Sequence, residues 1–164
     1  MKKNLYLMIV AVMIITACQP KPQPVDTAAA KESVNALMEK YLTAWNGKDV
    51  NTLTSLLTED GLFCGTDPTE LMDKKTITDA WKQVFSDSTM KNTFTVDKRV
   101  IRVVSDGKSA LVMEQHVSNP YTPKIPWRLI IQVVKTDDGW KIDFLSWNLI
   151  PKNEDIGKLA KALE

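Results

Sequence analysis

The chain is poor in the side chains from which most metal and cofactor sites are built. One His and two Cys in 164 residues cannot supply a three-His or a four-Cys zinc site, and no Gly-rich phosphate loop is present. Six Gly and eight Pro exclude a collagen-like chain or a long low-complexity region. Lys and Arg total 21 against 20 Asp and Glu, a net charge of +1 that offers no electrostatic footprint for nucleic acid. The apolar run from Leu5 to Ile15 has eleven residues, too few to span a bilayer alone. What is there, 44% hydrophobic and 25% charged, is the composition of one globular domain. No metal and no cofactor is expected.

Lys2 and Lys3 precede that apolar run, giving it the charge and length of a secretory signal. It closes on Ile15-Thr16-Ala17-Cys18, which resembles the bacterial lipobox: an aliphatic residue, two small residues, then the Cys that is lipidated and becomes the new N-terminus. The resemblance implies a lipoprotein signal peptide over residues 1–17 and lipidation of Cys18. It also implies a membrane anchor in the bacterial cell envelope, with the domain in the periplasm or at the cell surface. Plain secretory cleavage after Ala17 is the alternative. Residues 18–26 then carry the alternation Gln19-Pro20-Lys21-Pro22-Gln23-Pro24, a polyproline-like tether extending at about 3 Å per residue. Once Cys18 is acylated, Cys64 has no disulfide partner.

The folded domain is expected over 27–152, followed by a polar tail over 153–164. Val34, Leu37, Met38, Tyr41 and Trp45 recur at helical spacing between Thr27 and Asn46, with Asp26 or Thr27 to cap and Gly47 to terminate. A second helix is expected from Asp49 to Gly61. A third is expected near Lys74 to Ser86, with Ile77, Ala80, Trp81, Val84 and Phe85 on one stripe. Downstream, β-branched and aromatic runs are broken by turn signals. Ser105-Asp106-Gly107-Lys108 joins Phe94–Val104 to Ser109–Ser118, and Asp138-Gly139 joins Trp127–Asp137 to Trp140–Ile150. Helices first and strands after predict an α+β fold, a curved antiparallel sheet whose concave face is covered by three N-terminal helices.

Ala44-Trp45-Asn46 before Asp49, Gly65-Thr66-Asp67-Pro68 before the third helix and Asp138-Gly139-Trp140-Lys141-Ile142 near the end, in this order of elements, resemble the SnoaL-like branch of the nuclear-transport-factor-2-like superfamily. The likeness covers about residues 28 to 150. It implies a cone-shaped fold, a pocket between the long helix and the sheet, and homodimers packed through the sheet. It implies no single function, because members include isomerases, cyclases, dehydratases, transport factors and assembly domains. Some relatives carry two His and a Ser on the last strand, where this chain has Phe144, Ser146 and Asn148.

Function therefore has to be sought in side chains. Counting back across the Ser105–Lys108 turn pairs Arg99 with Glu114 and Asp97 with His116 on one face. A carboxylate-oriented His beside an Arg is the equipment of enolisation or cyclisation chemistry. A salt-bridge ladder on the solvated sheet face, or at a dimer contact, is the other reading. Tyr41, Trp45, Trp81 and Phe85 line a pocket for a flat apolar ligand, or simply fill the core. Asp60, Cys64 and Asp67 flank the expected pocket mouth, where an Asp sheltered by burial could serve as a base. Helix-end and turn chemistry account for the two Asp equally, and Cys64 reads as a small buried hydrophobe. On the last hairpin Trp127, Leu129, Ile131, Val133, Ile142, Phe144, Ser146 and Asn148 share one parity, read as inward. Trp147 falls on the other face with Arg128, Gln132 and Asp143, as at a dimer interface. Ser105-x-x-Lys108 matches the penicillin-recognising string only by chance, since it makes a hairpin turn. Asn119 to Pro126 reads as a stiff loop or a lip over the pocket.

The function expected is binding of a small, mostly apolar molecule by a membrane-tethered domain. The alternative is an acid–base isomerase, cyclase or dehydratase using His116 or a pocket Asp.

Overall fold

Asp26 opens the first helix, α1 (Thr27–Asn46), in the computed structural model, which describes residues 26–89, 93–118, 122 and 124–164. The signal, the lipobox and the tether up to Val25 lie outside the described residues, as do Asn119, Pro120, Tyr121 and Pro123 of the Pro-rich connection. The Asp26 carboxylate accepts from the N–H groups of Ala28 and Ala29, each at 3.0 Å, satisfying two of the donors that a helix start leaves open. Val34, Leu37, Met38, Tyr41, Ala44 and Trp45 form the buried stripe of α1. At its end the Asn46 amide accepts from the Phe94 N–H at 2.8 Å and donates to the Phe94 carbonyl at 3.0 Å. That pair of bonds ties the helix to the first residue of a strand 48 positions away. α2 (Val50–Ser55) and α3 (Lys74–Ser86) start on Asp49 and Asp73, whose carboxylates accept from the backbone N–H groups of Thr52 and Thr76.

Six strands form one sheet: β1 (Leu57–Cys64), β2 (Leu71–Met72), β3 (Phe94–Val103), β4 (Ser109–Ser118), β5 (Trp127–Thr136) and β6 (Gly139–Leu149). Their order is β2-β1-β6-β5-β4-β3. The expected hairpins β3–β4 and β5–β6 are present, but the sheet is mixed rather than antiparallel, because β1 runs parallel to β6. The expected second helix is correspondingly too long. It ends at Ser55, and Leu57 to Cys64 is a strand. Leu53, Leu56 and Leu57 have helical spacing and are all buried, yet pairing with a strand some eighty residues away overrides the local pattern. Gly61 permits that pairing: a Cβ there would lie 2.5 Å from the Phe63 ring and 2.7 Å from the Asp143 carbonyl. Among the described residues two helices, not three, therefore precede the sheet.

α1 and α3 meet over one sheet face, where the Trp45 and Trp81 rings cross at 90° with centroids 6.2 Å apart. The core between helices and sheet holds Tyr41, Phe63, Leu129, Ile131, Ile142 and Leu145, each fully buried. α4 (Asn153–Ala162) forms from the polar C-terminal segment and buries no residue.

Two single-residue bulges decide which side chains face that core. In β3, Val96 pairs with His116 and Lys98 with Gln115, so Asp97 is an extra residue. In β6, Ile142 pairs with Val133 and Phe144 with Gln132, so Asp143 is extra. An extra residue reverses inward and outward for everything beyond it.

Candidate functional site

A cavity of about 200 Å³ opens between α3 and the sheet. Trp45 of α1, Trp81 of α3, and Trp127 and Trp147 of the sheet bring four indoles to its wall, with Phe94 as a fifth ring. Met72, Ile77, Ala80 and Val84 complete the apolar lining. The turn joining β1 to β2 adds Cys64, Gly65, Thr66 and Glu70. Some neighbouring rings pack edge to face, Trp45 to Phe85 and Trp127 to Trp147 both at 80°, while Trp147 is tilted against Trp45 at 43° and against Phe94 at 37°. Edge-to-face packing of this kind holds each ring against its neighbours and turns π faces in several directions.

Glu70 is the one carboxylate on this wall, and no Lys, Arg or His stands there among the described residues. Its Oε2 accepts from the Asp67 N–H at 3.0 Å, folding the side chain back over Gly65. A Cβ at residue 65 would meet the Glu70 carboxylate, so a larger residue there would push that side chain from its place on the wall.

Beside the cavity the same sheet face carries a buried ionic group. Glu114 and His116 are 0% and 1% exposed, so this is not a ladder on a solvated face. Glu114 Oε1 accepts from Arg99 Nε at 2.5 Å, and Glu114 Oε2 lies 2.7 Å from His116 Nε2. Arg99 reaches onward through one terminal nitrogen to Asn35 at 2.7 Å and Glu39 at 2.5 Å, both on α1. With Arg99 donating to it, the carboxylate acts as acceptor toward the imidazole, so Nε2 carries the proton. His116 Nδ1 is buried and unpaired. The imidazole touches the rings of Phe94 and Trp147 from behind, each with centroids 5.5 Å away, and is not itself on the wall. Tyr41 is also buried behind the wall. Burial drives its phenol far above the ordinary tyrosine range, the Glu114 charge adds to this, and the Trp147 indole N–H opposes it, though neither Tyr41 Oη nor Trp147 Nε1 completes a hydrogen bond. The Tyr41 hydroxyl therefore stays protonated at any physiological pH.

Several expected positions move. Arg99 and Glu114 pair in the expected register, but the β3 bulge removes Asp97 from the group. Asp97 is exposed and accepts from Gln115 at 3.3 Å. The β6 bulge exchanges the faces of the last strand: Leu145 and Trp147 turn inward, while Phe144, Ser146 and Asn148 lie on the outer face. Asn148 bonds to the Ser146 carbonyl there at 3.1 Å, and neither residue is a pocket donor. Trp147 is thus a wall residue rather than an interface residue, and a large aromatic among charges was itself the hint that the parity was reversed. Trp45, Trp81 and Trp127 line the cavity, whereas Phe85 packs behind Trp45 at 5.3 Å. Asp67 is exposed and accepts from Thr69 N–H and Oγ1 at 2.8 and 2.6 Å, a turn that holds its carboxyl below the ordinary value. Asp60 is exposed on β1 and away from the wall. Glu70, Met72 and Phe94 were not marked by any sequence signal as pocket residues. Among the described residues no group of three or more His, Cys, Asp or Glu side chains is placed to hold a metal ion. No helix among them is long and apolar enough to cross a membrane.

The SnoaL-like domain model matches residues 34–145. The chain belongs to the SnoaL-like family. Solved structures share this SnoaL-like architecture at low identity. An NTF2-like protein of unknown function from Pseudomonas putida superposes with a TM-score of 0.66 at 15% identity, covering 74% of this chain and 87% of its own. A protein of unknown function from Pectobacterium atrosepticum gives 0.65 at 21% identity over 79% and 97%. A cystatin-like fold protein from Burkholderia xenovorans gives 0.64 at 18% over 76% and 94%. At such identities the likeness is one of fold. No curated protein matches the chain.

Proposed function

We propose that this SnoaL-like protein is a binding module, tethered to a membrane of the cell envelope through lipid on Cys18, that takes a small and mostly apolar molecule in its aromatic cavity. The observation that carries the reading is the wall itself: four indoles and a phenyl ring around about 200 Å³, bordered by a single carboxylate. A dry apolar cavity of about 150 Å³ is known to hold one benzene ring, so this one suits a ligand of comparable or slightly larger size. The acid–base alternative asks His116 to act on a ligand, yet the imidazole stands behind Phe94 and Trp147 with its Nε2 committed to Glu114.

The test is native mass spectrometry of the full chain released from detergent, joined to titration of indole fluorescence with one-ring, two-ring and branched apolar compounds. A retained small-molecule adduct, or saturable quenching, supports the reading. Absence of both sinks it. Fatty-acid labelling of the same chain reports the tether, and its persistence in Cys18→Ala would refute lipidation at that residue.

A further inference from the structure

The cavity wall combines two features that a purely apolar ligand does not need. Its rings meet at varied angles: Trp45 and Trp81 cross at 90° and Trp127 and Trp147 at 80°, while Trp45 and Trp147 are tilted at 43°. Its one ionisable side chain with a full charge is a carboxylate, Glu70. The face of an indole carries negative quadrupolar charge, so an aromatic wall attracts a cation wherever a ring face meets the ligand. The Glu70 carboxylate adds a full negative charge on the same wall. Arg99, the nearby cation, is engaged by Glu114 and does not stand on the wall. A neutral hydrocarbon gains only burial from such a place, and an anion is repelled by both the ring faces and Glu70.

Glu70 is also available. One oxygen, Oε2, accepts from Asp67, whereas Oε1 has no partner among the described residues. The side chain is part-buried beside the rings, so its charge is less screened there than on open surface.

We propose that the cavity binds an organic cation whose charge is spread over apolar groups, of the quaternary or trimethylated ammonium class. This rests on the binding-module reading and names its ligand chemistry. Such a cation has the methyl surface that the indoles bury, and it has no N–H donors that the wall would leave unsatisfied. A primary ammonium would have three, facing one free carboxylate oxygen. The guanidinium of arginine would have five and is disfavoured for the same reason.

The test compares choline with its neutral isostere dimethylbutanol, in which carbon replaces the quaternary nitrogen, by isothermal titration calorimetry on the full chain in non-ionic detergent. Shape and burial are matched, so the difference reads charge alone. Choline should bind at least about tenfold more tightly, the scale of a desolvated cation–π contact. Glu70→Gln, which keeps an acceptor for the Asp67 N–H, should narrow that ratio while leaving the isostere's affinity in place. Equal affinities, or tighter binding of the isostere, would overturn the cation assignment and leave the apolar-ligand reading standing. Binding of aromatic compounds without choline would do the same. If neither choline, nor the isostere, nor any compound of the apolar panel binds, both readings fail together.

Discussion

Arg99, Glu114, Leu129 and Trp147 are successive partners across four strands, one row on one face of one sheet, and the row changes character along its length. At the β3–β4 end the side chains are polar and bonded to one another, with Glu114 holding both Arg99 and His116, although Arg99 Nη2 and His116 Nδ1 are left without a partner. At the β5–β6 end they are apolar, Leu129 in the core and Trp147 on the cavity wall. α1 serves both halves, offering Asn35 and Glu39 to Arg99 and Trp45 to the cavity. Buried charge belongs where it can be paired in full, because desolvation is costly unless every partner is present. Ligand space belongs where side chains are rigid and need nothing from solvent, which edge-to-face indoles satisfy. The one imidazole of the chain is therefore engaged in holding the fold, and aromatic side chains shape most of the site.

That contrast can be broken from either end. Removing Glu114 should have the largest effect: Glu114→Ala leaves a buried imidazole and a guanidinium without their shared acceptor and should cost about 4 kcal/mol in urea unfolding. A loss under about 1 kcal/mol would mean that solvent already reaches the group. Trp147→Ala works on the aromatic half. It should cost about 3 kcal/mol, typical of deleting a buried indole, and should abolish saturable ligand binding because the wall loses its central ring. Retained binding in that variant would place the ligand elsewhere. The smallest effect concerns acid. Asp49 and Asp73 have carboxyls held below the ordinary value of 3.8 by hydrogen bonds from Thr52 and Thr76. A depressed folded pKa means that the stabilisation is complete above about pH 5 and is lost as pH falls through the folded value. Both caps start helices of the aromatic half, α2 and α3, so helical signal from Asp49→Asn and Asp73→Asn should be flatter below pH 4 than that of the parent.

Much of this architecture was legible in the residues. The Asp26 cap, the Val34 to Trp45 stripe, the α3 limits at Lys74 and Ser86, both late hairpins and the Arg99–Glu114 pairing are local patterns, and each holds. The Trp-Asn pair at the end of α1 also acquires a reason, since Asn46 ties that end to Phe94. What was not legible depended on single extra residues and on distant pairing. Period-two alternation cannot announce a bulge at Asp97 or Asp143, yet each reverses every side chain beyond it. Unbroken alternation therefore places Asp97 in the ionic group, Trp147 outward, and Phe144, Ser146 and Asn148 inward, each opposite to the structure. Glu70 carries no pattern of its own, and only the fold of the 65–70 turn brings it to the wall.

The sequence by itself determined the long first helix, the helix from Lys74 to Ser86, the hairpins, the α+β class and the inventory of aromatic and ionic side chains, because caps, stripes and turns act within a few residues. The tertiary structure decided the parallel β1–β6 pairing, the face on which each residue of β3 and β6 stands, and the gathering of four indoles and one carboxylate around a common space. Those outcomes depend on backbone pairing between residues tens of positions apart, where one added residue outweighs any local preference.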